Sequence, residues 1–222
     1  MHISVVIPVY NEQTHIGRCL RSLTKQTVKP HEIIVVDNNC TDQTIEIAKR
    51  FPVKIIHEKQ QGITYARGTG FDEATGPIIA RCDADTIVPR DWVERISANF
   101  EKKGIYALSG PVYFYDSFFL KRTSLPSKIY AAFMKFIQQH ETLLGPNMAI
   151  TKDVWKKVRN EVCLNNATVH EDIDLAIHIK KYGKIAFDPK LKVKTSSRRI
   201  LKNPISFFVE YPLRVVKTLK NH

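Results

Sequence analysis

Ile3-Ser4-Val5-Val6-Ile7-Pro8-Val9 runs almost unbroken in Val and Ile and stops at the polar, turn-forming Tyr10-Asn11-Glu12. A strand with no alternation between apolar and polar residues is buried on both faces, as in a parallel sheet covered by helices. The same pattern recurs along the first hundred residues. Strand-type runs at 32–36, 53–57 and 77–82 alternate with helical patterns at 12–26, 42–50, 63–74 and 91–102. This alternation predicts an α/β fold with a mainly parallel sheet and helices on both faces. Capping residues agree: Thr41 or Asp42 precedes the second helix, and Pro89 precedes the fourth, whose first turn holds Asp91 and Glu94.

The second half is less regular. Its sequence predicts a long strand over 105–115 and a mostly helical stretch over 118–139, interrupted near Pro126. Gly145-Pro146-Asn147 then forms a loop running into a strand that ends at Ile150, and Thr151 caps a helix to 158. A further helix over 172–182 is expected to close at Gly183 in left-handed geometry. Repeats, low-complexity tracts and linker-like stretches are absent from the sequence, so 1–222 reads as one domain with parts at 1–104, 105–190 and 191–222.

With 222 residues, 43% of them hydrophobic, the chain can bury a sizeable core. Its formal charge is +12, and from Lys190 to His222 nine Lys or Arg face one acid, Glu210. Such a segment suits nucleic acid, an anionic membrane or phosphorylated substrates, and equally a solvated helix face. Cys19, Cys40, Cys82 and Cys163 show no C-x-x-C spacing, so neither zinc nor a disulfide framework is indicated and a reducing, cytoplasmic compartment is expected. The N-terminal apolar run is too short for a signal peptide and no run reaches bilayer length, which leaves peripheral attachment open.

Ligands of open α/β sheets bind outside the carboxyl ends of the strands. The predicted strands deliver Tyr10-Asn11-Glu12, Asp37-Asn38-Asn39 and Asp83-Ala84-Asp85 to that rim. Acids gathered at one edge repel unless they meet a cation or donated hydrogen bonds. As hard oxygen donors, Asp83 and Asp85 suit Mg²⁺ or Mn²⁺, whose shell substrate phosphates and water complete. Taken singly, Asp37 and Asp83 are also explained as turn caps, and the Asp-x-Asp spacing recurs at Asp172-Ile173-Asp174. A Gly-rich loop with Lys and a G-x-G-x-x-G after the first strand are both missing, which counts against a kinase, an NTPase or a dinucleotide enzyme.

In their order, Val5 to Glu12, Asp37, Asp83-Ala84-Asp85 and His170-Glu171-Asp172 resemble glycosyltransferase family 2 over roughly residues 3–190. The resemblance implies a GT-A fold: one Rossmann-like domain with a smaller antiparallel acceptor-side part, 1–104 binding the donor and 105–190 the acceptor. It implies inverting transfer of one sugar from a UDP- or GDP-linked donor. Pro8, Tyr10 and Glu12 would line the nucleotide pocket, Asp37 would contact the base, and Arg67 would lie against the donor. Asp83, with Ala84, would meet the nucleotide, while Asp85, helped by Asp83, would hold the metal at the diphosphate. Gly145-Pro146-Asn147 resembles a loop that closes on donor sugar and acceptor, and Asp172, beside Glu171, resembles the general base. A sugar hydroxyl is a poor nucleophile, so a carboxylate that takes its proton is needed. Glu171 and Asp172 also suit a helix N-terminus.

Lys194-Thr195-Ser196-Ser197-Arg198-Arg199 stands where processive relatives carry Q-x-x-R-W, which favours single transfer. Arg198 and Arg199 read as diphosphate ligands or as a surface pair, and His170 as a further metal ligand or a structural residue. The aromatic and basic mixture over 118–136, like that over 207–220, suits a membrane interface or closure of the core. The first option fits a lipid-linked acceptor or a cell-surface glycan precursor at the inner face of the membrane. Competing functions are a sugar-nucleotide nucleotidyltransferase, whose Gly-rich opening loop Pro8 to Glu12 does not supply, and a nucleic-acid- or membrane-binding module without catalysis.

Overall fold

The computed structural model describes residues 1–117, 125–164, 169–198 and 211–220. Arg199, Phe118 to Arg122 and Phe207-Phe208, which the sequence reading singled out, lie outside these residues. Strands β1 (Ile3–Val9), β2 (Glu32–Asp37), β3 (Lys54–His57) and β4 (Ile78–Arg81) alternate with helices α1 (Ile16–Thr24), α2 (Thr44–Ala48), α3 (Ile63–Glu73) and α4 (Trp92–Phe100). Then come β5 (Ile105–Ser109), β6 (Val112–Phe114), α5 (Leu125–Gln138), a 3-10 turn (Gly145–Asn147) and β7 (Met148–Thr151). They are followed by α6 (Lys152–Val158), α7 (Glu171–Lys180), β8 (Lys184–Phe187), β9 (Val193–Thr195) and α8 (Tyr211–Lys220).

Seven strands form one sheet in the order β3-β2-β1-β4-β7-β5-β8. Side chains alternate along each strand, and here both sides are buried. Val5, Ile7, Ile33, Val35 and Ala80 meet α1 and α4, while Val6, Ile34, Val36 and Ile79 meet α3, α6 and α7. All pairings are parallel except those of β7, which runs antiparallel to both β4 and β5. The antiparallel character therefore lies inside the main sheet, whereas the small β6–β9 sheet is parallel. Reversing β7 brings its leading turn, Gly145–Asn147, to the rim where β1, β2 and β4 end.

Two local expectations are corrected. The long strand over 105–115 is two strands, because Gly110 and Pro111 turn the chain from one sheet to the other. A Cβ on Gly110 would come within 2.1 Å of the Leu191 carbonyl oxygen, and Pro111 has no N–H for a ladder. Within the expected helical stretch α5 is described from Leu125, with Pro126 in its first turn, where a proline is tolerated; the part of the stretch before Leu125 lies outside the described residues. Gly183 is not left-handed; the positive-φ glycines are Gly62 and Gly104. A Cβ at Gly183 would instead strike the Tyr106 ring at 2.1 Å. Thr151 caps α6 as expected, its hydroxyl accepting from the Val154 N–H.

Candidate active site

A cavity of about 730 Å³ opens along the carboxyl rim, within the range typical of small-molecule sites. Its floor begins at Pro8 and Val9 of β1 and at Tyr10 just beyond it, and Glu12 follows. Directly after β1 and β2 the chain turns through Asn11 (φ 54°) and Asn39 (φ 68°), a left-handed conformation that Asn adopts more readily than most residues. Asn38 lines the cavity, its side-chain oxygen accepting from the Gly62 N–H at 2.8 Å at the start of α3.

Asp83, Ala84 and Asp85 leave β4 and line the same cavity. Asp85 accepts from the Thr195 hydroxyl at 2.8 Å and lies 3.5 Å from the Arg198 Nε. Burial, then the field of Asp83, pushes its carboxyl up to about 6. Asp83 is more open and accepts from Arg81 at 3.1 Å. Asp85 is thus a partly buried carboxylate beside a second one, a donor set that fits a hard divalent cation. Among the described residues no group of three or more His, Cys, Asp or Glu could hold a metal ion, His170 included. The rest of a coordination shell would be phosphate and water. Arg198 also pairs with Glu12 and lies 3.2 Å from His15 Nδ1.

The opposite wall carries His170, Glu171 and Asp172, the last two in the first turn of α7. Arg81 ends β4 on the side of the sheet that packs against α7. Its guanidinium reaches Glu171 at 2.7 Å, Asp172 at 3.3 Å and Asp83 at 3.1 Å. Glu171 also pairs with Arg67 at 3.1 Å, and Asp172 accepts the Gly145 N–H at 2.8 Å. The two carboxyls consequently diverge. Burial opposes ionisation of Glu171, but Arg81 and Arg67 outweigh it and hold the group below the ordinary range. Asp172 is pushed up to about 7 by burial and then by the negative Glu171.

Pro8, Tyr10, Glu12, Asp83, Ala84, Asp85, Gly145, Glu171, Asp172 and Arg198 therefore share one cavity; three other expected residues do not line it. Arg67 is fully buried and stacks its guanidinium 6.0 Å from the Trp155 ring while holding Glu171, so it lies behind the wall rather than against a ligand. Asn147 is fully buried. Its amide donates to the Pro111 and Leu191 carbonyls and accepts from the Trp92 indole, which makes it an internal brace. Asp37 accepts from the Cys40 N–H at 2.9 Å and lies 3.4 Å from His57, and the neighbouring Asn38 takes the position on the cavity. The two acids of the second Asp-x-Asp are placed apart: Asp172 lines the cavity, while Asp174 is buried and accepts from the Cys163 N–H. Arg81 was not foreseen, although a single charge in the apolar run 77–82 was a legible sign.

A family model described as Glycosyl transferase family 2 matches residues 4–158. The glycosyltransferase AglE of Haloferax volcanii is 38% identical over 120 residues, covering 50% of this chain and 40% of AglE. The mannosyltransferase PcManGT from Pyrobaculum calidifontis, solved with GDP-Man and Mn²⁺, superposes with a TM-score of 0.79 at 18% identity, covering 99% of this chain and 63% of that one. Glucosyl-3-phosphoglycerate synthase from Mycobacterium tuberculosis, solved with Mn²⁺, UDP and phosphoglyceric acid, gives 0.70 at 16% identity over 99% and 78%. At these identities the structural likeness is one of fold. The chain spans less than two thirds of AglE and of PcManGT. With more than half its length matched by the family model and its strands arranged as in these GT-A structures, the chain belongs to glycosyl transferase family 2.

Proposed function

We propose that the protein transfers a single sugar, with inversion, from a nucleotide-diphosphate sugar to an acceptor hydroxyl. The observation that carries this reading is Asp172, a buried carboxyl held near 7 on the wall of the cavity that Asp83 and Asp85 also line. A general base works best when its proton affinity lies close to the operating pH. The acceptor oxygen forms a bond to the anomeric carbon as the bond to the diphosphate breaks, and the hydroxyl proton passes to Asp172. One displacement inverts the configuration, so an α-linked donor gives a β-linked product.

The residues divide the work. Pro8, Tyr10, Glu12 and Asn38 surround the nucleotide, while Arg198 offers a guanidinium to phosphate oxygens. Asp83 and Asp85 would hold Mn²⁺ or Mg²⁺, which would neutralise the charge that builds on the departing diphosphate. Arg81 and the Gly145 N–H aim the Asp172 carboxyl, and Arg67 keeps Glu171 ionised beside it. Residues 1–104 thus furnish the donor side and 105–190 the acceptor side. GDP-Man in PcManGT and UDP in glucosyl-3-phosphoglycerate synthase, each with Mn²⁺, support a UDP- or GDP-linked donor. The acceptor is a glycan precursor or a lipid-linked hydroxyl.

Calorimetric titration of UDP, GDP and their sugar conjugates, with Mn²⁺ and with chelator, tests the donor site. One nucleotide should bind in a metal-dependent way, and Asp85→Ala should abolish that binding. No nucleotide binding by folded protein with metal present would overturn the reading.

A further inference from the structure

We infer that the outer faces of α5 and α8 form a docking surface for an anionic lipid bilayer. At 3.6 residues per turn, Leu125, Ile129, Phe133 and Phe136 fall along one side of α5, and they are 58, 59, 58 and 77% exposed. The opposite side of α5 already has its core: Met134 packs with Ile173 of α7 and Val215 of α8. Among the described residues the outer stripe is turned to solvent rather than into that core. The pattern repeats in α8, where Val215 points inward while Leu213 and Val216 are 55 and 48% exposed. Two helices that share one small core thus both turn large apolar side chains to solvent, more than scattered surface residues would explain.

Charge selects the occupant. Neither α5 nor α8 contains an Asp or Glu. Lys128 and Lys135, two turns apart, flank the stripe on one side, and Lys217 is exposed on α8; Lys135 also pairs with Glu141. A second copy of this chain would bring the same formal charge of +12 to the contact and be repelled. An anionic bilayer accepts both features together, the apolar stripe entering the headgroup region and the flanking amines meeting lipid phosphates. The inward faces of the same helices supply Ser127, Tyr130 and Arg214 to the cavity. Docking would place that wall about one helix diameter, ~10 Å, from the lipid. The docking itself does not depend on sugar transfer.

Co-sedimentation of the protein with phosphatidylcholine vesicles, with and without phosphatidylglycerol and without nucleotide, tests the inference. Binding should require the anionic lipid and weaken with salt. The Phe133→Ser/Phe136→Ser variant should lose at least about tenfold in affinity, and Lys128→Glu/Lys217→Glu should lose the preference for anionic lipid. All four side chains are exposed, so melting temperatures should match the parent. Three results would overturn the inference: no binding to either vesicle, binding that the Phe variant keeps in full, or a dimer of the parent that the Phe variant dissolves.

Discussion

Asp172 and Glu171 are neighbours in sequence with opposite proton affinities, because Glu171 has two arginines and Asp172 shares one of them. Transfer should therefore rise as pH increases through about 7, where Asp172 ionises, and a pH–rate profile measures this. Asp172→Asn should lower turnover by about 10²–10⁴-fold and leave nucleotide binding in place, a separation that calorimetry beside a transfer assay would detect. The sign for stability is opposite to that for activity. Folded Asp172 holds its proton to a higher pH than an unfolded aspartate does, so folding loses stability as pH rises from the ordinary carboxylate range to about 7. At alkaline pH the Asn variant should melt no lower than the parent. Asp83 and Asp85 were legible as cavity residues because the end of an apolar strand run announces itself, whereas at the end of β2 the cavity position belongs to Asn38 and not to Asp37. Arg67 and Asn147 were not legible, since what each side chain touches is set by contacts far along the chain: Arg67 with Glu171, and Asn147 with Trp92.

At the scale of elements, the Val/Ile runs revealed β1 to β4 and their helices with only small errors at the ends. The second half was less legible because its strands are short and change direction or sheet. Nothing in the local pattern distinguishes antiparallel β7 from a parallel strand, or tells that β6 leaves the main sheet for β9. Close packing of α3 on β1 and β2 gives a direct test. A Cβ at Gly70 would lie 2.4 Å from Val6 Cγ1 and 2.8 Å from Val36 Cγ2. Overpacking of this kind typically costs ~1–3 kcal/mol, so Gly70→Ala should lower the unfolding free energy by that amount, read as a lower denaturation midpoint at an unchanged m-value. An unchanged midpoint would mean that α3 can move away from the sheet without penalty.

For the whole molecule, occupation of the cavity by donor and metal should oppose unfolding. A ligand at one hundred times its dissociation constant adds about 2.7 kcal/mol, which for a chain of this size raises Tm by roughly 5–10 °C. The shift should require nucleotide and Mn²⁺ together and vanish with chelator, as thermal denaturation would report.

The position of β7 also sets how late in synthesis the sheet can be completed. Arg81 of β4 pairs with Met148 of β7, so the outer edge of β4 has no partner until much of the second half has been made. An unpaired apolar edge invites association between nascent chains. Residues 1–104 expressed alone should therefore be insoluble, and a soluble, cooperatively melting fragment would show otherwise. Residues 1–104 are in this sense an unfinished sheet, dependent on a later strand for its protection, and a truncation that spares every cavity-lining residue before β5 would still yield aggregate rather than a smaller folded protein.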